Sequence, residues 1–187
     1  MSDNTETLIL RNVRLSYPHL FERSKTPEGK EGKYNASLIL DPKTNAKDIE
    51  ALESMIADQL KMNLKGASLP ADRKCLRSGE GKGDGYEGNM FLSASSNTAP
   101  MVLNNNSPQP VTNAGDAQVY AGCYVDAKVS MWTQNNQYGK RVNANLHVVK
   151  FVGDGDAFSS GHLSKDEALD GFDFDSDDAN LDDLLDA

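Results

Sequence analysis

VYAGCYVDAKVSMW, residues 119–132, alternates without interruption: Val119, Ala121, Cys123, Val125, Ala127, Val129 and Met131 are apolar, while Tyr120, Gly122, Tyr124, Asp126, Lys128, Ser130 and Trp132 are aromatic, small or polar. A period of two held this long predicts a β-strand with one face in a core. TQNNQ, residues 133–137, then reads as a five-residue turn, and residues 138–152 return with Val142, Ala144, Leu146 and Val148 on the core face. The pair is a long β-hairpin whose second face carries Tyr120, Tyr124, Trp132, Lys128, Arg141, Asn143, Asn145 and His147.

Upstream, the same signal recurs. TLILRNVRLSY, residues 7–17, is rich in apolar and β-branched residues and ends at Pro18, which fits a first strand. YNASLIL, residues 34–40, places Tyr34, Ala36, Leu38 and Leu40 on one face. The period then changes. Over residues 45–64, Ile49, Leu52, Met55, Ile56 and Leu60 fall at helical spacing, with Asn45 as the cap, Asp48 three residues on and Gly66 as the stop. Residues 66–89 read as one long loop with Gly79, Gly81, Gly83, Gly85 and Gly88, the kind of segment that is more often functional than idle. Its G-x-G-x-x-G, residues 83–88, is not a dinucleotide fingerprint, because it follows loop and opens a strand-like segment instead of following a strand and opening a helix. The expected class is therefore mainly β, with one helix.

Charge divides the chain. The formal net charge is -9, but residues 166–187 hold 10 acidic side chains and no Lys or Arg, so residues 1–165 carry 18 acidic and 19 basic residues, a balance of +1. The expected organisation is one domain, 1–165, and an acidic C-terminal tail, 166–187. With only Leu169, Phe172, Phe174, Leu181, Leu184 and Leu185 as its large apolar side chains, the tail cannot bury a core and is expected to be disordered when free. A calcium loop fails on its residues: Asp178 stands where an EF-hand needs Gly and Leu184 where it needs Glu. No apolar run is long enough to span a membrane, and the N-terminus lacks a signal-peptide pattern, so a cytosolic protein is expected. Cys75 and Cys123 have no C-x-x-C spacing and are read as reduced thiols.

No motif of catalysis is present. His19, His147 and His162 are scattered, and there is no H-E-x-x-H, nucleophile elbow or Walker sequence. An enzyme is not expected, and neither is a cofactor or a metal. What the body offers is aromatic rings interleaved with basic side chains. Trp132, Tyr138, Lys140 and Arg141 lie at the hairpin tip, with Lys128 and Tyr124 further back on the same strand; Arg73, Lys74, Arg77, Lys82 and Tyr86 lie in the long loop; Lys33 follows the 24–32 loop. Bases stack on aromatic faces whatever their sequence, and Lys or Arg follow the phosphates, which is what a sequence-tolerant single-strand binder needs. The structural alternative for each ring is packing under a helix or terminus with its polar tip exposed.

NVRLSYPHLFE (12–22), KYNASLIL (33–40) and above all YAGCYVDAKVSMWTQNNQYGKRVNANLHVVKFVGDGDAF (120–158) resemble the bacteriophage single-stranded-DNA-binding proteins formerly catalogued as an uncharacterised phage protein family. The resemblance implies a five-stranded OB-fold-like barrel with an acidic C-terminal tail, acting in phage DNA replication or recombination in the cytoplasm of the infected host. It implies that single-stranded DNA is the main partner, with duplex weaker, and that the tail competes for the groove and recruits replication or recombination proteins. A monomer or a homodimer is expected. In an OB barrel the loops at the mouth contribute to binding, here residues 24–32 and 133–137. The tail ends in Leu-Leu-Asp-Ala, without the terminal Phe of some podophage relatives. Two other classes are an acidic-tail protein-interaction adaptor or DNA mimic, which predicts no binding once the tail is removed, and a small metal-dependent nuclease, which predicts turnover.

Overall fold

The computed structural model describes residues 6–83, 85–158 and 170–171. In chain order its strands are β1 (Thr7–His19), β2 (Tyr34–Leu40), β3 (Leu76–Ser78), β4 (Met90–Ser96), β5 (Met101–Leu103), β6 (Tyr124–Asn136) and β7 (Gly139–Gly153). One α-helix, α1 (Ala46–Asn63), stands among the described residues between β2 and β3. β2 pairs antiparallel with β1 and β4, and β6 pairs antiparallel with β1 and β7. A short parallel contact between β4 and β7, at Ala94↔Ala144 and Ser95↔Asn145, closes the circuit. β1, β2, β4, β7 and β6 thus form a closed five-stranded barrel. β3 adds to β4 and β5 adds to β7 outside that circuit.

The alternating residues meet in one core. Leu10, Val13, Leu15, Leu38, Leu40, Leu92, Val125, Val129 and Leu146 are buried inside the barrel, and α1 adds Leu52, Met55 and Ile56 to the same cluster. Each such Leu removed from water contributes about 1.5–3 kcal/mol, so this interior is the main source of stability. The expected helix face is the face that packs.

Asn45 immediately precedes α1, as expected of a cap, but its side chain has other partners. Its Oδ1 accepts from the Asp41 N–H at 2.9 Å and its Nδ2 donates to the Arg11 carbonyl at 2.9 Å. Asp48 accepts from the Arg11 N–H at 3.0 Å. Both therefore tie the helix start to a bulge in β1, where the register against β6 shifts between Leu10 and Val13 and Asn12 takes a φ of 53°. Asp126 holds the same bulge from β6, accepting from the Asn12 N–H at 2.9 Å and pairing with Arg11 at 3.1 Å.

Four expectations change. Pro18 does not end β1, because a second bulge between Ser16 and His19 accommodates it. Residues 119–123 are not strand: Gly122 at φ 108° turns the chain there, and β6 starts at Tyr124. The core parity of β7 switches after Leu146, because a bulge at the Lys128/Val129 register shift sends Val149 and Phe151 inward in place of Val148. The long loop contains a 3-10 turn, Ala71–Arg73, and β3.

These elements lie in a compact unit, Met1–Ala157. The expected tail, with its disorder, lies outside the described residues apart from Asp170 and Gly171. No helix among the described residues is long and apolar enough to cross a membrane.

Candidate nucleic-acid interface

The hairpin tip is tighter than its sequence suggests. Thr133–Asn136 stay in strand, and only Gln137 and Tyr138 turn the chain, with Asn136 paired to Gly139. Asn136 Oδ1 accepts from the Tyr138 N–H at 2.9 Å, and Gly139 takes a φ of 103°, which only glycine adopts without strain. Tyr138 is left 72% exposed. Arg73, from the 3-10 turn, donates from Nη1 to the Tyr138 carbonyl at 2.9 Å, and Lys74 forms a backbone bridge with Val142. Arg73 and Lys74 of the long loop, remote in sequence, are thereby brought to the hairpin tip.

The second junction joins the hairpin to the 24–33 segment. That segment folds back on itself: Ser24 and Lys33 are joined by the Ser24 N–H to the Lys33 carbonyl at 3.0 Å and by Ser24 Oγ to the same carbonyl at 2.8 Å. Lys33 is thus fixed, and its ammonium lies over the Trp132 ring, 5.3 Å from the centroid. Trp132 pairs across the hairpin with Asn143, so the two share a face, as does Arg141 two residues before Asn143. Lys140 lies on the opposite face of the ribbon.

Asn143 in turn lines a groove over β2, β4 and β7, together with Tyr17, Asn35, Ser37, Ser93 and Ser95. The floor is small and uncharged, which allows a flat ring or a sugar to approach the sheet and leaves charge to the rim. Tyr17 was not singled out from sequence. It is 71% exposed and held at a φ of 46°, an uncommon conformation for a non-glycine residue, within the bulge between Ser16 and His19. The Tyr-Pro step at 17–18, read as a strand end, was the available signal.

The other candidates lie elsewhere. Tyr86 is corrected: it is only 7% exposed, edge-on to Phe91 with centroids 5.4 Å apart, and its hydroxyl bonds Ser16 Oγ at 2.6 Å, so it cannot stack a base. The chain folds back around it, with the Gly79 N–H donating to the Asn89 carbonyl at 2.8 Å. Arg77 lies over the Phe91 ring and donates to Ser93 Oγ at 3.3 Å, at the edge of the groove floor. Lys82 is exposed in a loop whose carboxylates cap it: Glu80 accepts from the Gly88 N–H and Glu87 from the Gly81 N–H. The Glu80 hydrogen bond holds the Glu87 carboxyl below its ordinary range. Tyr124 lines a different groove with Asn12, Arg14 and Asp41, roughly 26 Å along the strand from Trp132. Lys128 stands between them, opposite Val148.

Cys75 and Cys123 are buried and free, and burial pushes the Cys75 thiol up to about 11. Among the described residues no group of three or more His, Cys, Asp or Glu side chains could hold a metal ion.

A closed five-stranded barrel with one helix and a long hairpin places the chain in the OB-fold-like class. The family model for the single-stranded-DNA-binding protein of Enterobacter phage Enc34 matches residues 6–185, and the chain belongs to that family. It is 36% identical over 171 residues to putative protein p50 of Acyrthosiphon pisum secondary endosymbiont phage 1, covering 86% of this chain and 91% of that protein. The single-stranded DNA-binding protein from bacteriophage Enc34 in complex with ssDNA is similar in structure, with a TM-score of 0.75 and 26% identity over 83% of this chain and 91% of that one. Another structure of the Enc34 protein gives a TM-score of 0.75 with 28% identity over 89% and 92%. The protein gp2.5 of bacteriophage T7 shares the fold alone, with a TM-score of 0.51 and 11% identity over 88% and 99%.

Proposed function

We propose that this chain is a non-enzymatic, sequence-tolerant single-stranded-DNA-binding protein of phage DNA replication or recombination, which coats and protects exposed strands. The observation that carries the reading is the meeting of basic and aromatic side chains beside an uncharged groove: Lys33 on Trp132, and Arg73 on the backbone of Tyr138. Membership of a family named for single-strand binding supports it. In this reading, bases stack on Trp132, Tyr138 and Tyr17 over the Ser37, Ser93 and Ser95 floor, while Lys33, Lys140 and Arg141 take phosphates. Stacking on the face of Trp132 that Lys33 covers requires Lys33 to leave the ring. An exposed cation–π contact is worth about 0.5–1 kcal/mol and a base on an aromatic platform about 1–3 kcal/mol, so the exchange favours DNA and frees an ammonium for the backbone.

Residues 166–187 compete for the same surface and recruit replication or recombination proteins. Duplex binds more weakly because its bases are already stacked. The test is a titration of single- and double-stranded oligonucleotides of several sequences across a salt series. Single strands are expected to bind more tightly at every salt concentration with little dependence on sequence. Equal affinity for both forms, together with no effect of Trp132→Ala, refutes the assignment.

A further inference from the structure

We propose that Arg73 is a positioning residue for the hairpin tip and not a phosphate contact. The proposal rests on the reading of that tip as part of a DNA interface. Pairing of β6 with β1 stops at Ser130, and pairing of β7 with β4 begins at Ala144. Between those limits the described strands pair only with each other, apart from the bridge of Lys74 to Val142. A lone two-stranded ribbon is marginal in water, so the tip needs support from outside. The segment around Ala71–Arg73 supplies it. The Lys74 bridge fixes the approach, and the Arg73 guanidinium reaches the turn itself, with Nη1 2.9 Å from the Tyr138 carbonyl.

Gly139 completes the fit. A Cβ there would lie 3.1 Å from Arg73 Nη1 and 3.6 Å from its Cζ, so the missing side chain is what leaves space for the guanidinium against the turn. Charged donors make the stronger hydrogen bonds, and this one is given to the carbonyl of Tyr138, a residue 72% exposed. Arg73 therefore orders Tyr138 through its backbone and leaves the ring free.

Full-length Arg73→Ala, Tyr138→Ala and the double variant, titrated with oligothymidylate across a salt series, test this, alongside hydrogen exchange of the tip amides without DNA. Arg73→Ala is expected to weaken binding about 3- to 10-fold, the scale of one lost hydrogen bond, with the salt slope unchanged. It is expected to add nothing to the loss from Tyr138→Ala and to speed exchange at Gly139 and Lys140. A slope lower by about 0.7, the mark of one phosphate contact on a single strand, or losses that add in full, overturn the proposal. So does unchanged tip exchange. Should the Ala variant fail to fold, Arg73→Met keeps the aliphatic stem without the donor and is read in the same way. If the wild-type chain does not bind single strands, the functional reading fails, and tip exchange still decides whether Arg73 is a brace.

Discussion

Tyr86 and Tyr138 each adjoin one glycine, Gly85 and Gly139, with a lysine within four positions, Lys82 and Lys140, and they have opposite fates. Tyr138 is 72% exposed at a turn, whereas Tyr86 is 7% exposed with its hydroxyl on Ser16. Nothing local separates them, because the burial of Tyr86 depends on Gly79 and Asn89 closing a loop and on Ser16 arriving from a strand 70 residues away. The candidate site is legible in sequence as a composition and not as a set of members for that reason. Trp132→Ala and Tyr138→Ala are each expected to reduce single-strand affinity by about 1–3 kcal/mol with little change in melting temperature. Tyr86→Phe leaves Ser16 buried without that partner and is expected to lower stability by about 1–3 kcal/mol while the folded protein binds normally. Calorimetric melting and binding titrations on the same preparations check both. Cys75 gives a pH signature. Its thiol is held up at about 11 against an ordinary 9.0 because burial penalises the thiolate. Raised in the folded state, it contributes stability that is complete below pH 9 and lost as the pH climbs through 11, worth roughly 2–3 kcal/mol at about 1.4 kcal/mol per unit. Denaturant midpoints for Cys75→Ala are expected to fall less steeply than wild type over that range; parallel curves would mean that the alkaline loss comes from other groups.

Among the elements, period-two alternation located β2 and the β6–β7 hairpin, since one side of each faces a common interior, whereas β1 is read from its apolar and β-branched content and β4 only as a strand-like segment. What alternation cannot carry is a bulge. In β7 the apolar residues run Leu146, Val148, Val149 and Phe151, and the extra residue at the Lys128/Val129 shift puts Val149 and Phe151 inside where unbroken parity requires Val148. The hairpin tip misleads in a related way: TQNNQ is polar and reads as a loop, but cross-strand pairing continues to Asn136↔Gly139. Polar strand residues are natural there, because the ribbon has left the core. The bulge makes a clear prediction. Val149→Ala is expected to cost about 1–3 kcal/mol as a deletion in a packed interior, and Val148→Ala well under half of that, as read by urea unfolding. A larger cost at Val148 than at Val149 would return the strand to unbroken parity and displace the bulge from its assigned place. Helix α1 shows the opposite case, where spacing predicted the packed face correctly but assigned Asn45 and Asp48 to capping. Both instead hold Arg11. Residue type identified a helix start, and the partner was set by tertiary approach.

For the molecule as a whole, the division of charge is the property most directly readable from sequence. A body of balance +1 is joined to 10 uncompensated carboxylates in residues 166–187, the charge on which the proposed competition with DNA rests. If residues 166–187 follow the scaling of a flexible linker, the 22-residue segment spans roughly 25 Å, against a radius of gyration of about 15 Å for a body of this length, the reach that the proposed competition requires. Its Phe172 and Phe174 offer rings to sites that would stack bases, and its carboxylates offer charge to sites that would take phosphates. Competition of this kind screens with salt, with a Debye length of about 10 Å at 0.1 M. Deleting residues 166–187 is therefore expected to tighten single-strand binding most at low salt and progressively less as salt rises, and to raise duplex binding as well, because the removed competitor is electrostatic and indifferent to strandedness. Titrations of the deleted and full chains over the same salt series measure it. Unchanged affinity at low salt would remove the competition and leave the acidic segment with partner recruitment alone, and loss of binding on deletion would instead make that segment the active surface of an adaptor.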